Sequence, residues 1–428
     1  MKKINVLIFP CGGLNALEIH TALKDCFSMK VYGGTSQKDH GAFVYKNYIT
    51  DIPFLHDPEF IIAFNQVIEE YEIDIVYPTD DTAMLFFARN VSNIKARVIQ
   101  PGVVPAELSR YKDRLYKTLQ KKAYCPLVYS EKDDVTKYPV FVKPVVGSGS
   151  QNTRIVHCEC EFKNTDWSKD YLVVEYLPGE ELTVDCFSDR FHKLRFVGPR
   201  SRSRILAGVS VNSFTVPLKE EIQVIASELN DLLKLRGLWY FQVKKDREGI
   251  YKLLEISVRT AGTMNLYRNL GVNFPMLAIY DLLDRNIEIL KNDFYLEVDR
   301  TMLNRYKSDL HYSTVYIDFD DTITKNGQVN PFVLMYLYTE RNKGKKIKVL
   351  TRHELDFDQT LFQLAISKNL FDEVIHLTWD HKKYLYIEEK EEAIFIDNAF
   401  QERLEVKNQL NIPVFDVDAI QCLIDWRE

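Results

Sequence analysis

The sequence predicts an α/β protein built of several domains, and three observations carry that prediction. The chain has 428 residues, more than a single hydrophobic core ordinarily organises. Toward both ends, short β-rich runs alternate with helical patterns, as parallel layers require. Between them, strand and turn segments follow one another without regular helices, which is the mark of an α+β region.

Taken in order, Ile4 to Phe9, Lys30 to Gly33, Asp74 to Tyr77 and Arg97 to Ile99 read as strands, and Leu14 to Cys26 and Glu59 to Tyr71 read as helices. Cys11-Gly12-Gly13 follows the first strand, where a dinucleotide turn would sit. GxGxxG is not satisfied there, and no acidic residue marks the end of the second strand, which argues against a nicotinamide site. Pro101 to Pro105 reads as a connection, Ala106 to Lys122 as one helix, and the mixed segments run on to about Thr260. A helix over Phe274 to Leu283 leads into a charged stretch without period, Arg285 to His311. The strand Ser313 to Phe319 opens a last alternating region. The expected division is 1–104, 105–290, a linker over 291–312, and 313–428, with no internal repeat.

With 46% apolar, 27% charged and 12% aromatic residues, the chain has the composition of a folded globular protein. Lys plus Arg total 55 against 61 Asp plus Glu, and the net charge of −6 excludes the basic surplus of a nucleic-acid binder. No apolar run approaches the roughly 20 residues that span a bilayer, so no membrane partner is expected. Met1 to Pro10 reads as a buried strand and not a secretory signal. The seven cysteines are scattered with no CxxC pair, which fits reduced thiols and a cytoplasmic protein. His157-Cys158-Glu159-Cys160 lacks zinc-site spacing and reads as a strand end. No spacing marks a Ser, His and Asp triad.

Two constellations carry chemistry. In the first, the apolar run Pro139 to Val142 ends in Lys143-Pro144 and is followed by Gly147-Ser148-Gly149-Ser150. A loop of small residues brings backbone N–H groups against phosphate oxygens, and the adjacent ammonium offsets their charge. It is not a Walker A sequence, since no GKS or GKT follows. Downstream lie Glu175-Tyr176-Leu177, Glu181, then Gln242, and then Glu255-Ile256-Ser257-Val258-Arg259. Between them, Arg200, Arg202 and Arg204 alternate in an extended pattern, which would put them on one face suited to an anionic substrate.

This order resembles the ATP-grasp superfamily, most of all its carbamoyl-phosphate-synthase-like ligases, over roughly residues 1–290. The resemblance implies a Rossmann-like pre-ATP-grasp layer followed by an α+β ATP-grasp domain. Asp113-Arg114 matches the pair that opens the family's ATP subdomain, so Arg114 would contact phosphate. Lys143 would meet the α- and β-phosphates, with Gly147, Ser148, Gly149 and Ser150 as the loop above them. Glu175, Tyr176 and Leu177 would form the adenine hinge and Glu181 would hold the ribose. Gln242, Glu255 and Ser257 occupy the family's metal-ligand positions, Ser257 standing where Asn is usual. Arg259 would contact the transferred phosphoryl group, and Arg200 and Arg202 the substrate or acyl phosphate. ATP and Mg²⁺ are the cofactors implied.

The second constellation begins at Val315-Tyr316-Ile317-Asp318-Phe319-Asp320-Asp321-Thr322. Its two acids sit two residues apart at the C-terminal end of a strand, the edge where open α/β sheets bind ligands. Leu350-Thr351, Lys382-Lys383 and Ile396-Asp397-Asn398 follow. This four-part order resembles the haloacid-dehalogenase (HAD) superfamily from about Thr314 to the end, as a Rossmannoid domain with no room for a large cap. The resemblance implies Asp318 as nucleophile, Asp320 as general acid and base, Thr351 and Lys383 (or Lys382) on the phosphoryl group, and a Mg²⁺ site of Asp318, Asp320 and Asp397. Asn398 stands where a second acid is common, and Asp321 reads as a local cap.

Together the resemblances imply a bifunctional enzyme: a ligase that joins a carboxylate to an amine through an acyl phosphate, fused to a Mg²⁺-dependent phosphatase. Its expected partners are small-molecule carboxylates and amines, phosphorylated or sugar-acid compounds among them, and a second copy in a homodimer. Two rivals stand beside it: a ligase whose HAD module is catalytically weak, prompted by Asn398, and an ATP-binding sensor, prompted by Ser257.

Overall fold

The strand β1 (Ile4–Phe9) is buried along nearly its whole length, as the central strand of a parallel sheet must be. Around it lie β2 (Met29–Gly34), β3 (Asn47–Ile49), β4 (Ile75–Pro78) and β5 (Arg97–Val98), all parallel, in the order β3-β2-β1-β4-β5. Helices α1 (Leu14–Leu23), α2 (Phe60–Glu70) and α3 (Asp81–Asn90) make the crossovers. In α2 the buried Phe60, Phe64 and Ile68 recur every four residues, and this stripe joins Phe9 and Phe87 in one aromatic cluster. The side chain of Asp80 caps α3, accepting hydrogen bonds from the Thr82 and Ala83 amides.

The computed structural model describes residues 3–129, 134–147, 149, 151–163, 170–206 and 208–427, and its main division falls between Met1–Met302 and Leu303–Glu428. Within the first unit, α4 (Val103–Arg110) and α5 (Lys112–Leu119) lead to a small sheet of β6 (Val128–Tyr129), β7 (Val140–Pro144), β8 (Arg154–Val156) and β9 (Tyr171–Glu175), ordered β6-β9-β7-β8 and antiparallel. The short helix α6 (Glu159–Lys163) follows β8. Next come β10 (Glu181–Ser188), β11 (Leu194–Ser201), β12 (Arg204–Leu206), β13 (Val209–Phe214), α7 (Glu220–Leu233), β14 (Gly237–Lys245) and β15 (Tyr251–Ser257). Strands β11-β10-β14-β15 form the antiparallel sheet at the centre of this region. Helices α8 (Asn265–Asn269) and α9 (Phe274–Leu282) precede β16 (Glu297–Asp299), which completes a third sheet, β12-β13-β16.

Helix α7 covers the central sheet with Ile222, Ile225, Ala226, Leu229 and Leu233, an i, i+3, i+4, i+7 stripe packed with Trp239, Phe241 and Val184. A buried relay pins it. The Trp239 indole donates to Ser188 Oγ at 2.9 Å, Ser188 donates to Asn230 Oδ1 at 2.6 Å, and Asn230 Nδ2 donates to the His192 carbonyl at 2.8 Å.

The second unit is again a parallel sheet, from β17 (Thr314–Ile317), β18 (Thr324–Lys325), β19 (Gln328–Val329), α10 (Pro331–Asn342), β20 (Lys346–Thr351), α11 (Phe357–Gln363), β21 (Glu373–His376), β22 (Ala393–Ile396), α12 (Phe400–Leu410) and β23 (Val414–Phe415). Its order is β21-β20-β17-β22-β23, with β18 and β19 as a separate hairpin. Strands β17 and β22 are fully buried, with α10 packing Val333, Tyr336 and Leu337 onto the sheet. Among the described residues, no helix is long and apolar enough to cross a membrane.

Three expectations are corrected. The single helix over 106–122 is two, because Tyr111 is extended (φ −111°, ψ 98°) and the Lys112 amide bonds the Val145 carbonyl at 3.2 Å. The expected linker over 291–312 contains β16, so the first unit extends to Met302. Cys158 and Cys160, expected as reduced thiols, are joined as a disulfide, while Cys11, Cys26, Cys125, Cys186 and Cys422 are free.

The relay under α7 gives a test of the packing. Asn230→Ala leaves the buried Ser188 hydroxyl without this acceptor and removes the donor to the His192 carbonyl, which costs about 1–3 kcal/mol. The expected readout is a lower urea midpoint for the unfolding transition followed by Trp fluorescence.

Candidate functional site

Lys143 ends β7 and is 6% exposed. Its Nζ donates to Tyr116 Oη at 2.5 Å and to the Leu254 carbonyl at 3.1 Å, both neutral partners. Burial, and then the like charge of Lys112, push its pKa down from 10.5 to about 7. Lys143 lines a cavity of about 240 Å³ together with Tyr176, Leu177, Glu181, Gln242 and Glu255. Lys112 also lines it, donating to the Gly147 carbonyl at 2.9 Å. Two ammonium groups with few anionic partners are suited to the oxygens of a polyphosphate.

Gln242 on β14 and Glu255 on β15 are register partners, as are Tyr240 and Ser257. The two-residue period puts all four on the face that lines a second cavity of about 370 Å³. It adjoins the first, sharing Lys112, Arg202, Gln242 and Glu255. Gln242 and Glu255 present a hard-oxygen pair of the kind that holds Mg²⁺ when substrate phosphates supply further ligands. Among the described residues no group of three or more His, Cys, Asp or Glu forms a preassembled cation cage. Ser257 instead donates to Asp81 Oδ1 at 3.1 Å, and Arg259 Nε donates to Asp81 Oδ2 at 3.0 Å. Burial opposes ionisation of Asp81, yet the Arg259 ion pair and hydrogen bonds from Arg259, Ser257 and Ser109 prevail and hold its carboxyl below the ordinary range.

Of the other expected residues, Arg200 and Arg202 line the second cavity, and Arg114 lines neither. Arg114 is exposed, pairs with Glu107 at 3.1 Å and stacks on Tyr111, away from both cavities. Buried Lys112, Leu115, Tyr116 and Leu119 make the inner stripe of α5, so the basic residue of α5 at the first cavity is Lys112. Arg200, Arg202 and Arg204 do not share a face, because β11 ends at Ser201 and Arg204 starts β12 in another sheet. Arg200 is 2% exposed. It grips Asp185 through Nε and Nη2 at 2.6 and 3.0 Å and donates to Thr263 Oγ1 at 2.5 Å, so most of its donors are spent inside the protein. Arg202 lies 2.7 Å from Glu181, and Arg204 pairs with Asp299 on the surface.

Glu175 ends β9 and its side chain accepts from the Leu127 amide at 2.8 Å, which fixes the chain just before Tyr176 and Leu177. Gly147 and Gly149 line both cavities. Ser148 and Ser150 lie outside the described residues. At Gly208 (φ 75°) a Cβ would meet the Gly149 backbone at 2.0 Å, so these loops touch main chain to main chain. Asp81 was missed in the sequence although it follows the apolar run of β4. Lys112 was missed although it shares a helical face with Leu115 and Leu119.

In the second unit, Asp318, Thr351 and Asp397 sit at the C-terminal ends of the adjacent strands β17, β20 and β22. Buried Lys383 bridges them, with Nζ 2.6 Å from Asp318 Oδ1 and 2.6 Å from Asp397 Oδ2. Burial raises both carboxyls above the ordinary range, against the pull of Lys383. Asp320 is not part of this group. Its half-exposed carboxylate meets His353 Nδ1 at 3.0 Å, whose Nε2 faces Thr360 Oγ1 at 2.8 Å. The expected three-acid cation site of Asp318, Asp320 and Asp397 is therefore not gathered. Asp321 has φ 55° and accepts from the Asn326 amide, and Asn398 bonds Thr322 through its amide N–H at 3.1 Å.

The chain is similar to proteins of one broad class. The family described as ATP-grasp in the biosynthetic pathway with Ter operon matches residues 168–301. A D-alanine--D-alanine ligase of Clostridium botulinum (strain Eklund 17B / Type B) is 23% identical over 178 residues, which span 38% of this chain and 59% of that ligase. Among solved structures, biotin carboxylase from Campylobacter jejuni in complex with β,γ-ATP superposes with a TM-score of 0.56 at 18% identity, covering 68% of this chain and 74% of that one. The L-amino acid ligase of Bacillus licheniformis gives 0.53 at 18% identity, with 66% and 75% covered. An ATP-grasp architecture of ligase type is the common ground of these likenesses.

Two outcomes follow from the cavity. Because the folded pKa of Lys143 lies below its ordinary value, the unfolded chain binds the extra proton between about pH 7 and 10.5, and this group's contribution to stability rises with pH across that window. A polyphosphate favours the charged ammonium, so nucleotide binding above pH 7 is expected to take up a proton. Titration calorimetry in buffers of different ionisation enthalpy measures it, and Lys143→Met should abolish it. Separately, Lys112→Ala should weaken ATP binding about tenfold or more, the scale of a charge-assisted hydrogen bond, while Arg114→Ala leaves it nearly unchanged.

Proposed function

We propose that the first unit is an ATP-dependent ligase that joins a carboxylate to an amine. The observation that carries this reading is the buried Lys143 ammonium facing a cavity that runs into the Gln242 and Glu255 face. A substrate carboxylate oxygen attacks the γ-phosphorus of ATP, the bond to the β-phosphate oxygen breaks, and ADP leaves. The amine then attacks the acyl phosphate carbon, phosphate departs, and the nitrogen loses a proton to give the amide. Lys112 and Lys143 would offset the triphosphate charge, Tyr176 and Leu177 would line the base, and Glu181 the ribose. Gln242 and Glu255 would hold Mg²⁺, which neutralises charge on the phosphates when bound. Ser257 acts indirectly by fixing Asp81. Arg259, held in place by Asp81, would face the transferred group. Its second guanidinium edge is not used by Asp81, whose contact is to Nε.

For the second unit we infer a HAD-type phosphohydrolase. Its support is the cluster of Asp318, Thr351, Lys383 and Asp397 at one strand edge. Asp318 would attack phosphorus, Thr351 and Lys383 would hold the phosphoryl oxygens, and Asp320 would protonate the leaving oxygen and then activate water. Lys383 occupies the space between Asp318 and Asp397, and this favours a second reading in which the module binds cations weakly and hydrolyses slowly.

The test uses Asp318→Asn protein with ATP, Mg²⁺ and pooled carboxylates and amines, followed by mass spectrometry and phosphorus NMR. ADP together with a new amide is the expected result, and later consumption of a phosphorylated amide by wild type supports the hydrolase. ADP formation absent across the pool, with ATP still bound and Lys143→Ala abolishing that binding, would replace the ligase by an ATP-binding sensor.

A further inference from the structure

The 370 Å³ cavity beside the nucleotide site has an unbalanced lining. Among the described residues it carries Lys112, Arg200, Arg202, Arg259 and Arg300 against Asp81 and Glu255. Four of the cations are committed. Arg200 is held by Asp185 and Thr263, Arg259 by Asp81, Arg202 by Glu181, and Lys112 by the Gly147 carbonyl beside Lys143. Arg300 is different.

Arg300 directly follows β16, and its amide is fixed to the Val211 carbonyl at 2.7 Å. Its guanidinium packs on bare backbone, since a Cβ at Gly262 would lie 2.5 Å from Nη1. Among the described residues Nη1 is enclosed and has no hydrogen-bond partner, as is Arg202 Nε, but Arg202 has the Glu181 carboxylate 2.7 Å away and Arg300 has no acid paired with it. The acid whose charge it feels, Glu18, is already taken by Arg268 through Nε and Nη2 at 2.7 and 3.3 Å. Burial pulls the Arg300 guanidinium below its ordinary value against Glu18, and the like charge of Arg200 adds to the fall, so an anion there would relieve both. A guanidinium whose Nη1 lacks an acceptor among the described residues, in a cavity of cationic surplus, suits a planar or tetrahedral oxyanion.

We propose that Arg300 receives a second acidic group of the substrate, so that this cavity selects a carboxylate or amine bearing a further carboxylate or phosphate. The inference rests on the ligase reading of the adjoining nucleotide cavity. Arg300 is a specificity-determining residue in this scheme. It recognises the end of the substrate that does not react, while the reacting carboxylate lies toward Arg259, Gln242 and Glu255.

The test is titration calorimetry on the full chain with Mg²⁺ and ADP present. The probes are succinate against butyrate and O-phosphoserine against serine. Wild type is expected to bind at least one acidic probe about tenfold or more tightly than its partner, the scale of one bidentate charged contact. Arg300→Gln should erase that preference, and Arg300→Lys should retain part of it. A preference for succinate assigns the carboxylate, and one for O-phosphoserine assigns the phosphate. No acidic preference in wild type, or a preference that survives Arg300→Gln, overturns the proposal. ADP affinity reports whether each variant folds. Should Arg300→Gln fail that check, Gly262→Ala is read in the same way, because it crowds the guanidinium and keeps its charge. Failure of the ligase reading appears elsewhere, as absence of ADP production from ATP with every acceptor, and is thereby distinguished from failure here.

Discussion

A single carboxylate, that of Asp81, sets the arrangement of the first unit's candidate site. It stands at the first turn of α3, one residue past the cap that Asp80 provides. From there it gathers Ser109 from α4, and Ser257 and Arg259 from the end of β15. A parallel layer and an antiparallel sheet, 178 residues apart along the chain at the Asp81 to Arg259 contact, are thus joined through charge. Removing an ion from water is expensive, and here the cost is offset by one guanidinium and two hydroxyls that complete the shell. The same contacts orient Arg259 and turn Ser257 away from the role its position in the β14 and β15 pairing would otherwise give it.

Around that anchor the electrostatics are arranged so that cations outnumber the anions facing them. Lys143 is surrounded by a phenol and a carbonyl, and Lys112 by a carbonyl. Neither partner neutralises an ammonium, so the cavity holds positive potential that a polyanionic ligand would discharge. In the second unit the balance runs the other way. Lys383 is shared by two buried carboxylates whose protons are held more tightly than usual, which makes that strand edge receptive to added positive charge. The two units therefore present sites of opposite appetite, each on its own sheet.

Much of the fold was legible because its strands are continuous apolar runs. Ile4 to Phe9, Val315 to Ile317 and Ile394 to Ile396 announce buried parallel strands, and acids placed directly after two of them announce a ligand edge. The failures have physical causes. Alternation of Arg200, Arg202 and Arg204 predicts one face only while the chain remains one strand, and it turns after Ser201. Strand β16 is three residues long with acids at both ends, too short to show a period, and so Arg300 was hidden in an apparent linker. Contacts such as Asp81 with Arg259 or Arg268 with Glu18 link distant segments, and no local pattern encodes them. Arg114 is expected from the match of Asp113-Arg114 to the family's pair, and such a match does not carry the direction in which the helix points each residue.

That last detail reaches beyond one residue. Helix α5 starts abruptly at Lys112, where the backbone amide is fastened to Val145, and the lysine side chain points inward with Leu115, Tyr116 and Leu119. Each residue advances a helix by about 100°, so the neighbour of Lys112 faces a different quarter of space. That neighbour is Asp113. A deletion of one residue in the segment between α4 and α5 would exchange an ammonium for a carboxylate at the first cavity, although the deleted residue is not itself part of the lining. The length of this connection therefore sets the sign of the charge that α5 turns toward the cavity.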